Sequence, residues 1–401
     1  MKFKKSKTLL EHIFGLTGQV SSGLPLLLIT SIISISQGLE QAGKFTVLVG
    51  FSSTVFSLAL WGFRTLIVLN KHDFPPLLFL LSRLFMLLFS SGIIIFFSEL
   101  MGYSLAFTMI ILLVKSTDAI IDLNFGFLQL KGSYVALKEY AILHVSKFII
   151  IGFLLLLSYF SFVTEINTYL IVIGIFLLIS SLLKLIYTEE IKFTIEGFTL
   201  LEIKSLFIKS FVFVLATTAC AFLTNSPRFF LDAFVDGDLL GVVGICLSVS
   251  TLFGMVFNTN WQRYFSNLNK ANNRFSFSLR FFTQNILVGV FLASFAFFVL
   301  PYPVSIFFKI DLDIYMKIMQ QIFLSFIGFN LGMSALNLYK WTNKPVIESY
   351  SYFLAFIIPF LLALVWRDLF KIYHLLLISG FVMLLLSIYS INLIKKENEK
   401  K

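Results

Sequence analysis

Charge is scarce in this chain. Asp, Glu, Lys and Arg make up 13% of its 401 residues, against 58% apolar residues and a mean hydropathy of +0.93. A water-soluble protein of this length needs a polar outer surface, and too few charged residues are present to build one. Cysteine is scarcer still. Cys220 and Cys246 both fall within apolar runs, where they read as small apolar side chains and define neither a disulfide framework nor a metal site. The four histidines, His12, His72, His144 and His374, are scattered. None has an acid four or five residues further on that would suggest acyl-transfer chemistry.

What is abundant is lipid-soluble sequence. Twelve apolar runs of about 20 residues can be marked off, each enough to cross a hydrocarbon core of about 30 Å. They lie near residues 15–36, 45–69, 77–98, 103–122, 141–161 and 166–187, then 207–231, 239–258, 279–302, 316–337, 345–366 and 372–394. The expected fold class is an all-α polytopic membrane protein. With both termini cytoplasmic, 25 of the 31 Lys and Arg residues fall in connections or span ends on the cytoplasmic side and six do not, as retention of basic residues on that side requires. The net charge of +10 is then topology plus attraction to anionic lipid, and implies no nucleic acid. The 24 Lys against 7 Arg fit an AT-rich bacterial genome. Met1-Lys-Phe-Lys-Lys-Ser-Lys7 looks like the start of a signal peptide, but the apolar run that follows is long and lacks a small-residue cleavage site, so it is read as a retained first span.

The runs group into two lobes of six. Residues 1–190 form the first, 191–206 a mixed-charge amphipathic cytoplasmic linker, 207–395 the second lobe and 396–401 a basic tail. A weak repeat supports the division: Glu40-Gln-Ala-Gly43 and Asp238-Leu-Leu-Gly241 each open a span, with Ser52 and Ser250 at the same later offset and Pro25 and Pro227 in the preceding spans. Transporters are often built from such repeats.

One stretch breaks the apolar pattern. From Lys115 to Lys131, the residues Lys115, Asp118 and Asp122 share one helical face. Ionisable groups at membrane depth are costly and by default mark function. Lys115 lies about 18 Å into its helix at 1.5 Å per residue, in the inner half of the bilayer. Arg64 is expected near the inner end of the second span and Arg228 near the outer end of the seventh.

Asn225-Ser-Pro227-Arg228-Phe-Phe-Leu231 followed by Gly237-Asp-Leu-Leu-Gly241-Val-Val-Gly-Ile resembles the seventh and eighth spans of O-antigen and capsule repeat-unit flippases, the Wzx type. Asp118-Ala-Ile-Ile-Asp122-Leu-Asn-Phe-Gly126-Phe-Leu-Gln129 is similar to their fourth span, and Gly38-Leu-Glu40-Gln-Ala-Gly43 and the span order agree. The resemblance covers nearly the whole chain. It implies a MATE-like fold, two six-helix lobes around a central cavity that opens alternately to each side. It implies a cargo of oligosaccharide repeat units on a polyprenyl diphosphate, moved from the inner to the outer leaflet of a bacterial cytoplasmic membrane. Implied partners besides the lipid bilayer are the glycan polymerase and glycosyltransferases of the same pathway. No cofactor or metal is implied.

Within that frame Arg64, Lys115 and Arg228 are candidate substrate-binding cations for the diphosphate, which demands cationic partners. Asp118, Asp122 and Asp232 are candidate ion-coupling or cavity acids, since a partly buried carboxylate can bind and release a proton. Each has a plainer reading. Arg64 and Lys115 can snorkel to headgroups, Lys115 can pair with Asp118, Arg228 can pair with Asp232, and the two acids of the fourth span can end a helix near water. Gln129, Lys131 and Glu139 read as a solvated helix face. An enzyme is not expected: Asp236-Gly-Asp238 and Asp311-Leu-Asp313 match a short metal-diphosphate pattern, but no long outer loop is present, the first being only Gln37 to Lys44. The alternatives are a MATE-like drug exporter and a cell-wall-precursor flippase.

Overall fold

The structure, a computed structural model, describes residues 2–69, 74–159, 175, 178–179, 199–234, 238–267, 274–338, 345–365 and 372–399. Thirteen helices form there: α1 (Lys2–Gln37), α2 (Leu39–Leu60), α3 (Phe63–Leu69), α4 (Pro76–Leu100), α5 (Leu105–Lys131), α6 (Ser133–Tyr159), α7 (Leu200–Phe234), α8 (Asp238–Asn267), α9 (Arg274–Phe298), α10 (Pro301–Phe308), α11 (Leu312–Leu336), α12 (Pro345–Val365) and α13 (Ile372–Glu399). The protein is an all-α, multi-pass membrane protein. Among the described residues seven helices are long and apolar enough to span a bilayer, and eight if the two segments of α7 that meet at a 47° bend form one span. Helix α5 is not among them because Lys115, Asp118 and Asp122 occupy its middle. The expected sixth span, 166–187, lies outside the described residues apart from three isolated positions.

The first helix keeps Pro25 within its length. The start of α7 is set by a reciprocal cap. Thr199 N and Oγ1 donate to Glu202 Oε2 at 2.9 and 3.0 Å, and Glu202 N donates to Thr199 Oγ1 at 3.3 Å; such a box satisfies amides that the first helical turn leaves orphaned. Residues 200–206 of the expected linker are thus the first turns of this helix. Asp311, half of the Asp-x-Asp pair considered above, is the cap of α11, its Oδ1 accepting from Asp313 N at 3.0 Å. That is a structural use of the pair. Asp236 lies outside the described residues.

The helices form two compact units, Met1–Leu28 with Leu48–Phe222, and Ile29–Val47 with Leu223–Lys401. In the first, Phe63 and Phe127 pack edge-on against Phe79 with ring centroids 5.7 and 6.1 Å apart, inside a core that includes Leu66, Leu80 and Leu123. In the second, the glycines of the weak repeat meet: a Cβ on Gly43 would lie 2.9 Å from Gly241 N. Large apolar side chains such as Leu88, Phe96, Phe291 and Ile306 are exposed, which suits a chain whose solvent is hydrocarbon.

Helices α11 and α13 also approach closely. A Cβ on Gly380 would fall 2.6 Å from the Gly328 carbonyl carbon, and one on Gly332 would fall 3.0 Å from Met383 Cβ. Small residues four apart let two backbones touch, the usual way helices associate where no hydrophobic effect drives them together. Gly380→Val is therefore expected to destabilise the second unit by about 1–3 kcal/mol, the usual cost of overpacking. Thermal unfolding of the purified protein in detergent measures it, and an unchanged midpoint would contradict the close approach.

Candidate functional site

The site begins at an interruption in the second span. Helix α2 stops at Leu60, Trp61 and Gly62 both adopt positive φ (42° and 62°), and α3 starts at Phe63. Positive φ is strained for Trp and cheap for Gly. A break leaves the last carbonyls of the preceding helix without intrahelical donors. One of these, Ala59 O, accepts from Arg83 Nη1 of α4 at 2.9 Å. Arg64, two residues past the break, is thereby set on a short helix of its own.

Asp122 joins the two arginines. Its Oδ1 lies 3.4 Å from Arg64 Nη1 and its Oδ2 3.3 Å from Arg83 Nη2. Arg83 is fully buried at 0% exposure, whereas Arg64 and Asp122 are each 23% exposed. Two further contacts aim Arg64: Nε donates to Gln129 Oε1 at 3.0 Å, and the guanidinium sits 4.3 Å above the Phe125 ring, a cation–π contact. Phe125 and Gln129 are one turn apart on α5, and Gly126 between them admits α3, since a Cβ there would stand 3.3 Å from Arg64 Cα.

One turn earlier on α5 the pattern recurs. Lys147 of α6, 1% exposed, donates to Asp118 Oδ1, and His144 Nδ1 lies 3.7 Å from the same oxygen. Tyr140 lies between the two groups, its ring edge-on to His144 at 4.3 Å and tilted against Phe125 at 4.7 Å, and its hydroxyl accepts from Gln19 Nε2 at 3.2 Å. Each carboxylate of α5 is thus backed by a wholly buried cation from a neighbouring helix. Arg64, Arg83 and Lys147 against Asp118 and Asp122 leave one positive charge in excess.

Of the residues singled out from sequence, Arg64, Asp118 and Asp122 come together in the first unit. Lys115 is half-buried on α5, three residues before Asp118. Arg228 is buried on α7 in the second unit, where Nη1 donates to Asn225 Oδ1 at 2.5 Å and Nε finds no partner among the described residues. Asp232 lies outside the residues whose side chains are described.

One sequence reading needs correction. Asp118 and Asp122 do not end a helix, because α5 runs on to Lys131 with Asn124 and Phe125 buried. Gln129, read as part of a solvated face, is half-buried and accepts from Arg64. Arg83 of α4 and Lys147 of α6, both wholly buried, were missed as members of the cluster. Each was a lone cation within an apolar run, and that signal could have marked it.

The whole chain has the fold of MATE transporters. A eukaryotic MATE transporter, AtDTX14, is similar over 100% of this chain and 99% of its own, at 17% identity and a TM-score of 0.64. An outward-facing multidrug resistance MATE family transporter of the MOP superfamily is similar over 98% of this chain and 97% of its own, at 12% identity and a TM-score of 0.59. An inward-facing one covers 96% of each chain at 10% identity and a TM-score of 0.53. No family model and no curated protein matches this sequence. At these identities the likeness fixes the fold, and residue roles must come from the site itself.

Removing one member of a buried ion pair strands the other, at about 3–5 kcal/mol, whereas replacing both with apolar or neutral groups is often close to neutral. Asp118→Asn should therefore destabilise strongly, and Asp118→Asn with Lys147→Met should recover most of the loss. Thermal unfolding of both variants checks this, and equal loss in both would contradict the pairing.

Proposed function

We propose that this protein is a flippase that carries a polyprenyl-diphosphate-linked oligosaccharide repeat unit from the inner to the outer leaflet of a bacterial cytoplasmic membrane, with both termini cytoplasmic. The glycan is a precursor of a surface polysaccharide such as O-antigen lipopolysaccharide or capsule, received from glycosyltransferases and passed to a polymerase. The observation that carries the reading is the Arg64 guanidinium, partly exposed and lying over Phe125, in a cluster whose charges sum to positive. A positive site at membrane depth suits an anionic head and opposes a cationic one. An arginine aimed by Gln129 and Phe125 presents its remaining N–H groups to phosphate oxygens, whose geometry a guanidinium fork matches. The lipid tail of such a cargo stays in the bilayer while the glycan and diphosphate follow the polar path. Arg228 is the corresponding cation of the second unit, and Lys115 a third. Asp118, Asp122 and Asp232 are the acids available for coupling the cycle to an ion.

An exporter of the same fold with another cargo is the alternative, a drug exporter or a cell-wall-precursor flippase. The similarity in fold to a multidrug resistance transporter favours the first. A deletion strain separates the readings. The flippase reading expects lipid-linked repeat units held on the inner leaflet and no change in drug sensitivity. Normal delivery to the outer leaflet with raised drug sensitivity would replace it with the exporter. In a complemented strain, Arg64→Ala and Arg228→Ala should abolish surface glycan at unchanged protein level, and Lys at either position should restore part of it. Full activity of both alanine variants would remove the cations from the account.

A further inference from the structure

We propose that Arg83, buried beyond the reach of any ligand, is the positioning residue that keeps Arg64 cationic toward its anion; this rests on the reading of Arg64 given above. An arginine facing a single carboxylate forms a neutral pair and has little attraction left for a second anion. Asp122 would impose that neutrality on Arg64 if it had no other partner. Its oxygens are divided instead, Oδ2 going to Arg83 and Oδ1 to Arg64. The three groups together carry one positive charge. Arg83 has 0% exposure and Arg64 23%, so the surplus is accessible only at Arg64.

Geometry supports the same division. Arg64 has its shorter contact with a neutral partner, Gln129 Oε1 at 3.0 Å, against 3.4 Å to the carboxylate. It is therefore aimed by groups that leave its charge intact. Its bonds to Gln129 and Asp122 use Nε and Nη1, which leaves Nη2 to donate to an incoming oxygen. Arg83 spends its other terminal nitrogen on Ala59 O, on the backbone that ends at the break before Arg64. One buried side chain thus fixes the helix break that places Arg64 and offsets the acid that would discharge it. Lys147 stands behind Asp118 in the same way.

The test uses the full-length protein in a neutral detergent, with inorganic pyrophosphate as the probe followed by titration calorimetry. Arg83→Gln should weaken binding about tenfold or more, with a flatter dependence on salt, since one unit charge a few ångströms away has been removed. Arg83→Gln combined with Asp122→Asn restores the single positive charge and should return the Kd to within about threefold of the parent. A double variant as weak as Arg83→Gln alone would overturn the proposal, because Arg83 would then act through the fold and not through charge. Failure of the parent protein to bind pyrophosphate would refute the anion reading of Arg64, and thermal unfolding would then decide the role of Arg83. Asp122→Asn should lower the midpoint more when Arg83 is present than in the Arg83→Gln background. Strictly additive midpoint changes would overturn the counter-charge role.

Discussion

Asp122 is the one group that the rest of the first unit depends on. A carboxylate inside a bilayer is tolerated only when paired, and this one is paired twice, with a buried arginine from α4 and a partly exposed one from α3. The helix break, the short α3 and the glycine that admits α3 against α5 all serve to bring those guanidiniums to the same acid. Removal of Asp122 would leave two cations facing one another. Removal of either arginine would leave the other to neutralise the acid.

The sequence made the class and most helices legible because lipid imposes a simple rule. Apolar runs of sufficient length must be helical, since no water is available to the backbone, and all eleven runs with described residues in quantity lie on helices. The face of Lys115, Asp118 and Asp122 was legible for the same reason: charge inside such a run is conspicuous. Arg83 and Lys147 were equally conspicuous, yet counting basic residues for orientation absorbed them as span-end charges. Depth cannot be read from a count. The break at Trp61-Gly62 left only the glycine as a trace, and a tryptophan in a left-handed conformation has no sequence signal at all. Gln129 was missed because its partner is 65 residues away in sequence, a separation set by tertiary packing.

Fold and site point to related but different statements. The fold is shared with multidrug resistance MATE family transporters, and fold alone does not choose a cargo. The proposal of an anionic cargo rests on the chemistry of the first unit, the excess positive charge of its cluster and an arginine placed over an aromatic ring. Both features favour an anion with oxygens in phosphate geometry. The bulky glycan and polyprenyl tail come from the resemblance of the motifs to repeat-unit flippases.

The central claim is transport of a diphosphate-linked glycan through Arg64. It is tested most directly by reconstituting the protein in liposomes carrying a polyprenyl-diphosphate oligosaccharide in one leaflet and following its appearance in the other. Faster transfer is expected with the parent protein and a basal rate with Arg64→Ala. Transfer at the protein-free rate with the parent, or undiminished transfer with Arg64→Ala, would contradict it.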